Sequence, residues 1–206
     1  MKVLIDLPTW LGDTIMVTPA IENLVRSLSN IEITLIGSFV SLEALKSHPK
    51  VTQVYVLEKR IIDYQNVLKN FGEFDIFFSF RGSFRSKLIK ALVKSKAKYQ
   101  YNKKRSNGNH QVEKYNNFIN SSLNIYSTPG KLKLYSEKKV NSGIKKLLGI
   151  NPGASYGSAK RWYPKEFASV AIDLSIDYDI VLFGGCLLYT SPSPRDAHES
   201  RMPSSA

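Results

Sequence analysis

Pro8-Thr9-Trp10-Leu11-Gly12-Asp13-Thr14-Ile15-Met16-Val17-Thr18-Pro19-Ala20 decides the fold, because it joins an apolar strand to an amphipathic helix and places a carboxylate at the join. Upstream, Lys2 to Leu7 reads as a short, buried, β-branched strand; downstream, Ile21, Leu24, Val25 and Leu28 recur at helical spacing. Asp13 is thereby expected at the C-terminal edge of a sheet, at a Gly-marked turn, where α/β enzymes keep their reactive groups. An Asp ahead of a helix also commonly caps it by accepting a backbone N–H. Two features argue against capping alone. Trp10 is too large and apolar for a mere turn, and Thr18-Pro19 supplies a second start signal, since Pro is tolerated in a first helical turn and kinks a helix elsewhere. The helix is therefore expected to have two beginnings, leaving Asp13 free to point at a ligand.

Outward from that join the chain alternates. Apolar runs at 2–7, 32–37, 51–57 and 74–80 are separated by helix-like segments near 18–29, 39–47, 61–71 and 84–95. Such alternation predicts a parallel sheet with right-handed crossovers. Helical patterns follow near 110–121 and 137–147, then a strand at 148–151, a helix at 165–175 and a strand at 179–184. The polar stretch containing Thr128-Pro129-Gly130 reads as a linker. The expected organisation is an N-terminal α/β domain over 1–123, a linker over 124–147, the opening β-α-β of a second Rossmann-like domain over 148–185, and a tail over 186–206.

The second chemical motif is Asn151-Pro152-Gly153-Ala154-Ser155-Tyr156-Gly157-Ser158-Ala159-Lys160-Arg161-Trp162-Tyr163-Pro164. Its glycines and serines offer N–H and O–H donors ahead of a helix N-terminus, where anions bind readily. A lysine in such a loop is either solvated or a phosphate ligand. The loop is neither a Walker A sequence nor a GxGxxG, so ATPase and dehydrogenase readings have no motif behind them. The three histidines, His48, His110 and His198, have no ligand-like spacing, and the single cysteine, Cys186, builds neither a disulfide nor a thiolate cluster. A metal-independent mechanism is expected.

The WLGDTIMVTPAIENL run and the 151–164 loop together resemble the bacterial lipopolysaccharide heptosyltransferases of glycosyltransferase family 9, and more the heptosyltransferase II branch. The resemblance implies a GT-B architecture of two α/β domains, with the acceptor mainly on the first and a nucleotide sugar, ADP-L-glycero-D-manno-heptose, on the second. It implies an inverting transfer in which Asp13 is the general base. Gly12, Ser155 and Lys160 would contact the donor, with Lys160 facing Asp13 across a cleft and serving the diphosphate. No cofactor is implied. Ser83-Phe84-Arg85-Ser86 is similar to an acceptor-side loop of the family. His110-Gln111-Val112-Glu113 resembles another such segment, but His110 reads as a helix-start or surface residue and stays outside the catalytic set.

Charge is concentrated. The chain carries 29 Lys and Arg against 17 Asp and Glu, and Arg81 to Arg105 holds ten basic residues and no acid. Lys87, Lys90 and Lys94 would share one face of an amphipathic helix, which is either merely solvated or attractive to an anionic partner. Arg81, Ser83, Arg85 and Lys87 are accordingly the candidate acceptor-binding group, for an acceptor rich in carboxylate and phosphate or for the anionic membrane leaflet that carries it. The inner core of lipopolysaccharide, with its Kdo sugars and lipid A phosphates, fits both. Nucleic acid is the rival partner of a basic stripe. No RRM, KH, zinc-finger or homeodomain signature accompanies it, and Lys-Ala-Lys-Tyr-Gln-Tyr from Lys96 reads more simply as an edge strand.

A hydrophobic fraction of 43% suits a soluble core. No apolar run approaches the roughly 18 residues of a membrane span, and no signal peptide precedes the first strand, so a cytoplasmic protein is expected. Residues 186–206 are Ser/Pro-rich, unlike the family, and resemble translated adapter or vector sequence. The family's remaining donor-side units do not follow Gly185, so this chain by itself is expected to be inactive. A non-catalytic module binding an anionic glycolipid or membrane surface is the alternative class.

Overall fold

The computed structural model describes residues 1–57, 71–103, 108–136, 145–153 and 162–183. The chain divides into two units, Met1–Lys138 and Lys139–Ala206. In the first, β1 (Lys2–Asp6), β2 (Glu32–Gly37), β3 (Val51–Val56), β4 (Phe74–Ser79) and β5 (Ser95–Gln100) alternate with α1 (Leu11–Ser27), α2 (Phe39–Leu45), α3 (Phe84–Leu92) and α4 (Gln111–Leu123). The second contains β6 (Lys146–Ile150), α5 (Pro164–Leu174) and β7 (Tyr178–Leu182).

The five strands of the first unit form one wholly parallel sheet in the order β3-β2-β1-β4-β5. Parallel strands are covered on both faces, and their side chains alternate accordingly. Val3, Ile5, Leu7, Ile33, Leu35, Ile76 and Phe78 enter one core with Val17, Ile21 and Leu24 of α1 and Phe118 and Ile119 of α4. Leu4, Ile36 and Phe77 enter the other with Ile89 and Val93 at α3. The Rossmann-like α/β expectation is met, and the Lys-rich run from 95 is the edge strand β5 that its alternation indicated. In the second unit β6 and β7 pair in parallel, with α5 in the connection between them. None of α5's residues is buried.

Several boundaries differ from the pattern-based expectation. α1 starts at Leu11 as one continuous helix, so Pro19 lies inside it and marks no second beginning. A proline there removes the N–H that would bond the Ile15 carbonyl. The Thr18 hydroxyl takes its place, donating to Ile15 O at 2.8 Å. α3 ends at Leu92, because Lys94 already contributes its carbonyl to Phe74 N–H at the head of β4; Lys94 is therefore off the helical face assigned to it. β6 begins at Lys146, two residues before the strand expected at 148. The helices expected near 61–71 and 137–147 fall largely outside the described residues.

Residues 125–136, in the stretch read as a linker, lie along the first unit. Asn23 donates to Asn116 Oδ1 at 2.7 Å and to Thr128 O at 2.8 Å, and Asn116 donates to Ser127 O at 2.6 Å. Further on, Lys133 N–H donates to Thr18 Oγ1 at 3.1 Å, and Tyr135 OH donates to Glu22 Oε1 at 2.8 Å. Burial alone would raise the Glu22 carboxyl, but Tyr135, Lys133 and His48 together bring it below its ordinary range.

Thr18 thus holds two backbone groups at once. Thr18→Val keeps the shape and removes both bonds, and it is expected to cost about 1–3 kcal/mol through the unsatisfied carbonyl and amide. Urea unfolding checks this, with Thr18→Ser expected to stay near wild type.

Candidate functional site

The strand order reverses between β1 and β4: from β1 the chain fills the sheet outward through β2 and β3, then returns to β1's other side. The loops leaving the C-terminal ends of β1 and β4 diverge there, which opens the crevice where doubly wound sheets bind ligands. Asp13 follows β1; Arg81, Ser83, Arg85 and Lys87 follow β4. Both candidate groups are brought to the same crevice.

The loop carrying Asp13 is tied down by hydroxyls. Pro8 O accepts from Ser41 Oγ at 2.7 Å and from Thr14 Oγ1 at 3.3 Å, while Ser38 Oγ donates to Thr9 O at 3.2 Å. Asp13 lies within the first turn of α1, not ahead of it, and Trp10 at the N-cap supplies no side-chain cap. Capping is therefore not Asp13's role. Side chains on a helix lean toward its N-terminus, so Asp13 leans back toward the strand end. Among the described residues no hydrogen bond or ion pair engages its carboxylate, which is half-exposed. Its charge reaches Tyr115 of α4, whose hydroxyl is pushed well up, first by burial and then by Asp13. Gly12 is a helical residue in that same turn, not a turn glycine, and a Cβ there would meet nothing within 4 Å.

Across the crevice Ser83 is the N-cap of α3, accepting from Ser86 N–H at 3.3 Å. Arg85 is half-exposed in the first turn of α3 and Lys87 is exposed next along it. Arg81 is mostly buried. Its Nε donates to Leu7 O, which ties the end of β4 to the end of β1. His110 is the N-cap of α4, with Nδ1 accepting from Val112 N–H at 3.3 Å, and Glu113 closes a capping box by accepting from Asn109 and His110 N–H. Ser155 and Lys160 lie outside the described residues. Among the described residues no group of three His, Cys, Asp or Glu is gathered that could hold a metal ion, and no helix is long and apolar enough to cross a membrane.

One residue of the crevice escaped sequence reasoning. Asp6, the last residue of β1, is fully buried on the face covered by α3 and sits in register with Ser79 of β4. Ser79 Oγ donates to its Oδ2 at 2.7 Å, and Arg81 Nε lies 3.5 Å from its Oδ1. Burial raises the Asp6 carboxyl above its ordinary value despite the opposing pull of Arg81, Ser79 and Ser86. A signal existed: an acid inside an otherwise apolar parallel strand needs a buried partner, and Ser79-Phe80-Arg81 at the end of the neighbouring strand supplies one.

With this geometry in place, the comparisons are specific. No family model matches the chain. Lipooligosaccharide heptosyltransferase 2 of Campylobacter jejuni serotype O:2 is 40% identical over 193 residues, covering 89% of this chain and 60% of that protein. Its serotype O:6 counterpart is 39% identical over the same span. This chain is a partial-length relative of these lipooligosaccharide heptosyltransferases. It spans about 60% of the length of the relatives it matches. Among solved structures, glycosyl transferase family 9 from Veillonella parvula superposes with a TM-score of 0.73 at 18% identity, over 90% of this chain and 63% of the other. E. coli ADP-heptose lps heptosyltransferase II gives 0.69 at 20%, over 91% and 65%. The fold is that of these solved glycosyltransferases, of which this chain covers 63% and 65%.

A raised carboxyl pKa fixes the sign of a pH effect. The protonated form of Asp6 is favoured by folding, so its contribution is fully present below the unfolded carboxyl pKa and is lost as pH rises through the folded one. Asp6→Asn mimics the protonated form. Its stability relative to wild type, measured by urea unfolding, is expected to increase from acid toward neutral pH; the opposite trend would show that the Arg81 pair outweighs burial.

Proposed function

We propose that the full-length protein transfers heptose from ADP-L-glycero-D-manno-heptose to the inner core of a lipopolysaccharide or lipooligosaccharide, with inversion and without a metal ion. The observation that carries this reading is the unengaged Asp13 carboxylate in the uncapped first turn of α1 at the sheet's switch point, in a chain 40% identical to a heptosyltransferase 2. As general base, Asp13 takes the proton of the acceptor hydroxyl. The resulting alkoxide-like oxygen attacks the anomeric carbon of the heptose, and the bond to the diphosphate breaks with its electron pair leaving on ADP. Lys160 and the Ser155 hydroxyl stabilise that departing charge, and the open space at Gly12 leaves room for the donor beside the base.

Arg81, Ser83, Arg85 and Lys87 serve the acceptor. Arg81 is held by Asp6 and the Leu7 carbonyl, so its charge is fixed before substrate arrives. An acceptor carrying carboxylates and phosphates is attracted to this side of the sheet, in keeping with work at the cytoplasmic face of a membrane. The solved structure of E. coli heptosyltransferase WaaC with ADP-2-deoxy-2-fluoro heptose has the same fold at TM-score 0.69 and 14% identity, which supports a nucleotide-sugar donor for this fold.

The test uses a chain extended to the relatives' full length. Asp13→Asn is expected to fold and to bind ADP-heptose normally while losing turnover by roughly 10²–10⁴-fold, the usual contribution of a positioned base. Retained turnover would remove Asp13 from that role. Lys160→Ala is expected to weaken donor binding or slow diphosphate departure, and an unchanged ADP-heptose response would leave it a surface lysine. The 206 residues alone are expected to transfer no heptose.

A further inference from the structure

A second feature of the first unit has no assigned ligand. A long groove runs beside β5, bounded by α3, α4 and the segment after α4, and encloses about 1210 Å³. Small-molecule pockets occupy roughly 300–1,000 Å³, so this space suits an extended chain better than one ring. Every residue from Lys98 to Lys103 borders it, although side chains on a strand alternate between faces. The groove therefore follows the free edge of the sheet, since β5 is the terminal strand.

Its chemistry is one-sided. Lys87, Lys90, Lys98 and Lys103 line it, and among the described residues no acidic side chain does. Lysines are compact charges on flexible stems, suited to phosphates and carboxylates presented at varied angles. Tyr99 and Tyr126 supply aromatic faces, and Tyr99 is backed by Phe78 in a stacked pair 5.3 Å apart. Among the remaining described lining residues asparagine and serine predominate, with Asn120 and Ser127 bonded to one another and Ser121 to the α4 backbone, so the wall is polar and ordered. One end meets the catalytic crevice. Gly82 borders the groove, Gln100 donates to Arg81 O at 3.2 Å, and Tyr101 packs 5.0 Å from Tyr115, the residue that feels Asp13.

We propose that this groove binds the phosphate-bearing saccharide of the glycolipid acceptor, holding the part of the headgroup that lies beyond the reacting sugar. The inference rests on the acceptor reading above and assigns it a place. Lysines alone would equally serve a single-stranded nucleic acid, which also uses tyrosine stacking. Continuity with the Asp13 crevice favours an extension of the substrate that reacts there.

Binding to the 206-residue chain tests the groove without needing turnover. The probe is a soluble glucosamine disaccharide carrying two phosphates, titrated by calorimetry. Saturable binding is expected, weakened at least tenfold in a Lys90→Ala/Lys98→Ala double variant of unchanged circular dichroism and severalfold in Tyr126→Ala. The dephosphorylated disaccharide is expected to bind at least tenfold more weakly. Unchanged affinity in the double variant would overturn the assignment. So would equal affinity for inorganic phosphate, for phosphatidylglycerol vesicles bearing no sugar, or for a single-stranded oligonucleotide, each of which identifies a different occupant. Asp13→Asn is expected to leave this binding intact, so a failed transfer mechanism and a failed groove assignment give different results.

Discussion

The arrangement depends on β1 pairing in parallel on both sides, with β2 in one direction and β4 in the other. A parallel connection must return to the same end of the sheet before the next strand starts, so each strand hands on to a loop at one edge. With β1 central, the loops after β1 and β4 leave for opposite faces: α1 packs on the face of Val3 and Ile5, and α3 on the face of Leu4. Separation of those two helix starts produces the crevice. Asp13 and the basic residues after β4 flank it because their chain segments have nowhere else to begin.

A costly group lies buried where β1 and β4 end. A carboxylate removed from water loses its hydration and regains only part of it from neighbours. For Asp6 the balance falls against the charged form, with burial prevailing over Arg81, Ser79 and Ser86. An apolar residue there would carry no such cost, and would leave the Arg81 guanidinium without the Asp6 carboxyl 3.5 Å away. Arg81 in turn ties the end of β4 to Leu7 of β1, at the point where the two loops diverge. Stability is conceded at this position for a defined arginine at the sheet edge.

How much of this was legible follows from the kinds of signal involved. The inner strands were readable because both their faces are buried, which forces apolar runs such as Val3–Ile5 and Ile76–Phe78. Edge strand β5 was readable by the opposite sign: Lys96 and Lys98 at alternate positions keep a free edge from pairing with another chain. The start of α1 was misplaced because Pro19 carries a strong local penalty that Thr18 offsets through a side-chain bond, and such compensation is invisible to a reading by residue type. Asp13 was singled out by its position near the join of strand and helix, and it lies in the first turn of α1. Asp6 was missed because its meaning lies in Ser79 and Arg81, more than seventy residues away and adjacent only once the strands are in register. Ser155 and Lys160 stand on sequence alone, since the described residues stop short of them.

The groove along β5 follows from the same topology. Any open parallel sheet ends in a strand whose outer N–H and C=O groups lack a partner, and a protein must cover, charge or use that edge. Here α3 and α4 stand on opposite faces of the sheet and leave the edge between them open. Charging the strand alone would satisfy the need to stay soluble. Lys87 and Lys90, however, come from α3 and not from the strand, and Tyr126 comes from the segment after α4. Protecting an edge does not require cations and an aromatic ring from the flanking elements to converge on it, whereas holding an anionic sugar chain does.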